Sequence, residues 1–399
     1  MINVAVLGYG TVGSGVVEVL STNHESIAKR AGQEINVKYV LDLREFPGDP
    51  VEKILVHDYN VILNDPEVDI VVEVMGGLHP AYEFTKDALL AGKSVASSNK
   101  ELVAKYGSEL LAIAKEKNVN YLFEASVGGG IPIIRPLNQS LTADEITEIT
   151  GILNGTTNYI LSKMTDEGLD FDAVLKKAQE KGYAERNPEA DVEGYDACRK
   201  IAILASLAYG KQVDYEDIYT EGITKISAAD IEYAKKLGAA IKLFGTCKRE
   251  NGTVYCMVAP FMIDDSHPLY NVNGVFNGIF VNGNMLGDTM FYGRGAGKLP
   301  TASAVVSDVV DAAKHKGTNI MTIWDSEKLT LGSMDNFTCR FFARTAAPKS
   351  DIEKVFGEVT YVDADIDGEL GFITERLSNK EFEDKSANIE LINRIRMTF

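Results

Sequence analysis

The chain opens with an apolar run, Ile2–Leu7, and passes at once into Gly8-Tyr9-Gly10-Thr11-Val12-Gly13. A strand that ends in G-x-G-x-x-G and feeds a helical pattern, here Val12 to about Ala31, constrains the fold more than any other segment. Gly8 permits the tight turn, Gly10 lets a pyrophosphate approach the backbone, and Gly13 lets the helix pack closely on the sheet. The pyrophosphate then rests on that helix's N-terminus. Further short apolar runs follow at Ile35–Leu41, Val68–Val74, Ser94–Ser97 and Val119–Phe123. Helical patterns lie between them at Pro80–Ala91 and Glu101–Lys117. That alternation predicts an α/β fold built on a doubly wound, Rossmann-type parallel sheet.

The end of the second strand offers two chemistries. Asp42 can accept hydrogen bonds from an adenosine ribose, whereas Arg44 can meet a 2′-phosphate instead, so both NAD and NADP stay open at this point. Gly92-Lys93-Ser94 is not a phosphate loop of the Walker type: Asp87 stands where a glycine is required, and a strand follows instead of a helix.

A chain of 399 residues is too long for one ordinary core. The middle third reads as an α+β domain. Its strands are expected at Ile146–Leu153, Ala240–Thr246, Val254–Phe261 and Ile279–Asn282. Its helices are expected at Asn158–Thr165, Phe171–Lys181, Gly194–Tyr209 and Ala228–Leu237. Gly293–Gly297 then leads into a helix at Ala302–His315. The last stretch reads βαββαβ, a ferredoxin-like order. The expected boundaries are 1–130 for a dinucleotide-binding domain completed by a helix at 300–318, 131–299 for a substrate domain, and 335–399 for a small C-terminal domain.

The densest chemistry is in the middle third. Gly182–Asp191 is a turn-rich acidic loop feeding a helix that carries Asp196 and Lys200, four residues apart and therefore on one face. Glu185 lies at the mouth of the loop. Paired carboxylates beside a lysine suit a small substrate bearing an ammonium group and a reacting carbonyl. The acids hold the ammonium, and the lysine supplies a proton to the developing alkoxide. A surface ion pair beside a solvated loop is the plainer alternative. Lys100, just past the carboxyl end of a parallel strand, stands where ligands bind open α/β sheets, or else starts a surface helix. Glu124 with Gly128-Gly129-Gly130 offers a carboxylate and bent carbonyls to a hard cation, or else forms a hinge between domains.

Composition narrows the classes. Forty basic and 58 acidic side chains leave a net charge of −18, which repels nucleic-acid backbones and anionic membrane surfaces. No apolar run approaches the ~20 residues that span a bilayer, and Met1–Val4 runs into a strand with no export signal. The four cysteines have no paired spacing, so reduced thiols and a cytoplasmic location are expected. Isolated histidines and the lack of G-x-S-x-G exclude zinc-type and serine-hydrolase chemistry.

Taken together, Gly8–Gly13, Ser98-Asn99-Lys100, Phe123–Pro132, Asn154–Asn158, Gly182–Asp191, Gly194–Lys200 and Tyr292–Gly297 with Pro300-Thr301 resemble homoserine dehydrogenase over roughly residues 1 to 318. The resemblance implies interconversion of L-homoserine and L-aspartate 4-semialdehyde with NAD or NADP, in threonine, methionine and isoleucine biosynthesis. It also implies a homodimer, or a dimer of dimers, built through the middle domain. It makes Lys200 the catalytic lysine, Lys100 a lysine near the nicotinamide, and Glu185, Asp191 and Asp196 the substrate-holding acids. Tyr9–Gly13, Gly295 and Gly297 become cofactor contacts. Glu124 becomes part of a sodium-like cation site, completed by the carbonyls of Val127, Gly129 and Ile131. Leu41 stands where many members carry a basic residue, which tilts the expectation toward NAD. The C-terminal segment looks like an ACT domain. Its first loop, Ala346-Ala347-Pro348-Lys349, lacks the glycine that seats an amino-acid effector, so an assembling tail stands beside a regulatory one. The rival from another class is a non-catalytic dinucleotide sensor, which has no need of a proton donor. A phosphorylating semialdehyde dehydrogenase is disfavoured because no cysteine sits beside a base.

Overall fold

The central strands of the first third are parallel and covered on both faces; Ile70, Val71, Val72 and Glu73 are all buried. The computed structural model describes residues 1–399 and divides into two compact units. The first comprises Met1–Ala143, Ala202–Asp214 and Gly293–Leu329. Its sheet runs in the order Leu55–Val56, Ile35–Leu41, Ile2–Leu7, Ile70–Glu73, Ser94–Ser97, Tyr121–Leu122, with every neighbour parallel. In sequence terms this is 3-2-1-4-5-6, the doubly wound order, which reverses between the first and fourth strands and opens the ligand crevice there.

Val4, Val6 and Val72 of this sheet pack against Val16 and Leu20 and against Val305, Val306 and Val309. The last three belong to the helix Lys298–Lys314, which completes the unit from far along the chain. The single helix expected from Val12 to Ala31 is two, Thr11–Thr22 and His24–Ala31. Asn23 leaves the helical region at φ −103°, ψ 20° and starts the second helix, which ends on left-handed Gly32.

The second unit comprises Asp144–Ile201, Tyr215–Tyr292 and Thr330–Phe399. Its centre is a hairpin, Ala240–Glu250 with Thr253–Ile263, closed by Asn251 and Gly252. Both turn residues have positive φ, 50° and 83°, the pairing that matches strand twist in a two-residue turn. Ile146–Ile152 pairs with the hairpin on one side and with Phe276–Gly283 on the other. Gly287–Arg294, which the sequence did not reveal as a strand, forms the edge of this sheet.

The C-terminal segment forms Thr338–Thr345, Lys349–Phe356, Val359–Val362, Leu370–Thr374, Asn379–Ser386 and Asn393–Met397 as strand, helix, strand, strand, helix, strand. Its four strands lie in the ferredoxin order 4-1-3-2. Its sheet is continuous with that of the rest of the second unit. Phe261 and Met262 pair in parallel with Arg396 and Met397, which merges the two sheets into one. Two buried charge clusters pin the junction. Arg344, 6% exposed at its side chain, reaches Asp230 at 2.8 Å and Glu369 at 2.7 Å, and Arg396 reaches Glu221 at 2.9 Å. Residues 131–143, 202–214 and 293–299 group with the first unit. No helix is long and apolar enough to cross a membrane.

Candidate active site

In the first unit the glycine turn is dictated by close approach. Gly8 has φ +96°, and a Cβ on Gly13 would lie 1.9 Å from the Gly8 carbonyl oxygen. A Cβ on Gly10 would meet nothing within 4 Å, so the turn faces open space where a dinucleotide needs its backbone. A cleft of about 490 Å³ lies beside it, lined by Gly8, Gly10, Asp42, Arg44, Tyr59 and Phe84 among others. Asp42 Oδ2 accepts the Tyr9 N–H at 2.8 Å, and the Arg44 fork grips the same carboxylate from Nε at 2.9 Å and Nη2 at 2.8 Å. The Arg44 guanidinium holds the Asp42 carboxyl well below the usual range despite partial desolvation. Asp42 and Arg44 are thus one bidentate unit, not two alternative ribose contacts. Together the turn, the cleft and the ionised acid fit an adenosine dinucleotide.

Lys100 is the first residue of the helix Lys100–Glu116, whose cap Asn99 accepts the Leu102 N–H at 3.1 Å. Gly295 and Gly297 bracket the approach to the helix Lys298–Lys314, and Gly297 is its cap at φ +123°. A Cβ on Gly129 would lie 2.3 Å from the Gly295 oxygen, so the loop holding Val127, Gly129 and Ile131 packs directly on that glycine stretch.

The Glu124 carboxylate is engaged by the backbone that follows it. Oε1 accepts the N–H groups of Ile133 at 2.6 Å and Ile134 at 2.8 Å, and Oε2 accepts that of Arg135 at 2.7 Å. These bonds fix the turn that follows Pro132. Arg135 in turn holds Asp308 and Asp311, both at 2.6 Å, and burial pushes the Asp308 carboxyl up. Sequence reasoning missed this cluster because 173 residues separate Arg135 from Asp308.

The first turns of the helix Tyr195–Tyr209, which belong to the second unit, bring Asp196 and Lys200 together as their spacing requires. Lys200 Nζ lies 2.7 Å from Asp196 Oδ2 and donates to the Leu153 carbonyl at 2.8 Å. The two side chains are 10% and 5% exposed, so the surface-pair alternative fails. Asn154, not singled out from the sequence as a site residue, organises the acids. Its Nδ2 donates to Asp191 Oδ1 at 2.7 Å and Asp196 Oδ2 at 2.9 Å, while its Oδ1 caps the helix Gly155–Glu167 at Thr157 N. An asparagine at the start of a helical pattern was the available signal for that cap. Asp191, Asp196 and Lys200 therefore form one cluster. Glu185 does not join it: it lies exposed on the loop, where its carbonyl accepts from Gln179.

Family comparison settles the chemistry. Residues 8–124 match the model described as homoserine dehydrogenase, NAD binding domain, and residues 132–310 match the model described as homoserine dehydrogenase. The chain belongs to the homoserine dehydrogenase family. It is an NAD(P)-dependent oxidoreductase acting on a CH–OH group, interconverting L-homoserine and L-aspartate 4-semialdehyde in amino-acid biosynthesis. The homoserine dehydrogenase of Bacillus subtilis is 45% identical over 317 residues, covering 79% of this chain and 73% of the relative. The solved homoserine dehydrogenase from Thiobacillus denitrificans superposes with a TM-score of 0.88 at 38% identity, covering 99% of this chain and 98% of that one. A hyperthermophilic archaeal homoserine dehydrogenase mutant in complex with NADPH superposes with a TM-score of 0.67 at 29% identity, covering 78% of this chain and 97% of that one.

Proposed function

We propose that Lys200 is the general acid and base of the homoserine dehydrogenase reaction and that Asp196 and Asp191 hold the substrate's ammonium group. The bound nicotinamide supplies a hydride to the aldehyde carbon, or takes it back from the alcohol. In reduction, Lys200 Nζ gives a proton to the oxygen developing on that carbon. In oxidation, the neutral amine takes the proton of the homoserine hydroxyl. Asp196 and the Leu153 carbonyl keep Nζ in one orientation, so little reorganisation is needed as charge moves. Lys100 is the second lysine of the set, and Glu185 is the acid on the solvent side. The buried Lys200–Asp196 pair carries this reading. The test is Lys200→Ala: near-normal turnover in a folded variant removes the lysine from its role.

The cofactor preference follows from Asp42. An ionised carboxylate at the end of the second strand accepts ribose hydroxyls and repels a 2′-phosphate, and Arg44 is already paired to it. NAD is therefore the proposed partner, and a lower KM for NADP than for NAD in the homoserine assay would reverse the assignment. A sodium-like cation would rest on Glu124 and on the carbonyls of Val127, Gly129 and Ile131. Thermal melting against sodium and potassium chloride tests it.

A homodimer is proposed across the edge strand Gly287–Arg294. That edge leaves Met290 and Tyr292 exposed, and the preceding turn exposes Met285 and Leu286. Unpaired edges with apolar side chains invite pairing with another chain. Light scattering on the wild type and Met290→Asp tests the assignment. A cytoplasmic location agrees with four free cysteines and is checked by cell fractionation.

A further inference from the structure

One buried acid of the first unit takes no part in the mechanism above. Glu73 ends the strand Ile70–Glu73 at the carboxyl edge of the parallel sheet, in register with Leu7 on one side and Ser97 on the other. It is 0% exposed, an expensive place for a carboxyl that serves only packing. Burial pushes its pKa up, against the opposing hydrogen bonds of Ser97 and the Met75 N–H.

Its two oxygens tie together two strand exits. Oε1 accepts the Met75 N–H at 3.0 Å, and Oε2 accepts the Ser97 hydroxyl at 2.7 Å. Ser97 Oγ accepts the Asn99 N–H at 3.0 Å. Asn99 caps the helix that Lys100 begins, and its Nδ2 reaches back to the Gly77 carbonyl at 2.6 Å. The Met75–Gly77 turn depends on left-handed Gly76 and Gly77, with φ 80° and 71°. That turn borders the cofactor cleft, and a Cβ on Gly8 would lie 3.2 Å from Met75 Cγ. One carboxyl thus governs both the wall beside the glycine turn and the position from which Lys100 projects.

We infer that Glu73 is a positioning residue of the dehydrogenase reaction, setting Lys100 and the Met75–Gly77 turn in a single geometry through Ser97 and Asn99. The inference rests on the reading of Lys100 as a lysine of the reactive end. Glu73→Gln keeps the volume but replaces one of the two acceptor oxygens with an N–H donor, so the Met75 N–H and the Ser97 hydroxyl can no longer each find a Glu73 oxygen. Displacement of a positioned group by about 1 Å can cost on the order of 100-fold in rate.

The expected result for Glu73→Gln is a loss of kcat of about tenfold or more, with the homoserine KM changed far less and the fold retained by circular dichroism. In a double-mutant cycle with Lys100→Ala, the two losses should fall short of multiplying, because the part of the Glu73 loss that acts through the lysine is already gone. Should Glu73→Gln not fold, Ser97→Ala breaks the same relay and carries the same expectation. Turnover near wild type in the folded Glu73 or Ser97 variant overturns the inference, as do losses that multiply. Lys100→Ala with normal turnover overturns both the inference and the reading beneath it. An impaired Lys100→Ala beside a normal Glu73→Gln overturns the inference alone.

Discussion

Lys200 and Asp196, one helical turn apart, meet at 2.7 Å with almost no exposure to water. Removing one partner of such a pair leaves the other charge buried and typically costs about 3–5 kcal/mol. Lys200→Met should therefore lower stability and, separately, lower kcat by about 10²–10⁴-fold through the lost proton transfer. Urea titration measures the first and steady-state kinetics the second. Lys200→Met that stays folded with kcat within twofold of wild type contradicts the assignment.

Asn154 separates capping from charge. Asn154→Ala loses the cap and should cost about 1 kcal/mol. Asn154→Asp keeps an excellent cap but sets a third carboxylate against Asp191 and Asp196, which now receive hydrogen bonds from Nδ2. Like charges in one site disfavour ionisation. Asn154→Asp is thus expected to melt lower than Asn154→Ala and to lose more kcat/KM, the reverse of the order set by capping alone. Parallel thermal melts and kinetics check this.

Gly13→Ala should abolish the cofactor turn. The added Cβ would sit 1.9 Å from the Gly8 oxygen, a backbone atom that cannot step aside without remodelling the loop. The expected outcome is loss of NAD-induced thermal stabilisation. Gly10→Ala, whose Cβ meets no protein atom, should keep the fold and weaken NAD binding alone. A Gly13→Ala variant that melts higher with NAD, as wild type should, refutes the steric argument.

Lys242 predicts a pH dependence. Its Nζ is buried, bonds the Val272 carbonyl at 2.7 Å and Asn273 Oδ1 at 2.6 Å, and has its pKa pushed down to about 8 by burial. Between about pH 8 and the ordinary lysine value of 10.5 the unfolded chain holds a proton that the folded one has released. The unfolded state binds more protons there, so this group's contribution to stability rises with pH, by about 3 kcal/mol in all. Lys242→Met should flatten that slope in urea midpoints taken across the window. An unchanged slope assigns it to other groups.

Much of this was readable along the chain. Parallel strands buried on both faces appear as short, mostly apolar runs, which is why the sheet of the first unit was legible. Asp196 and Lys200 were legible because helical spacing alone puts them on one face. The strand Gly287–Arg294 was not, since it is glycine-rich at both ends and half-exposed, with no apolar alternation to mark it. Nor was the break at Asn23, where neither proline nor glycine interrupts the helical pattern.

Local stereochemistry therefore determined the glycine turn, the parallel α/β order, the βαββαβ tail and the i, i+4 lysine–acid pair, because each depends on residues within a turn or two of one another. Contacts over long sequence separations decided the rest. Folding set the Glu124 carboxylate against a backbone turn, placed Asn154 between two acids, left Glu185 in solvent and fused the tail into the central sheet through Arg396 and Met397. A buried polar group must find its partners wherever the packed chain brings them, and sequence distance carries no record of that choice.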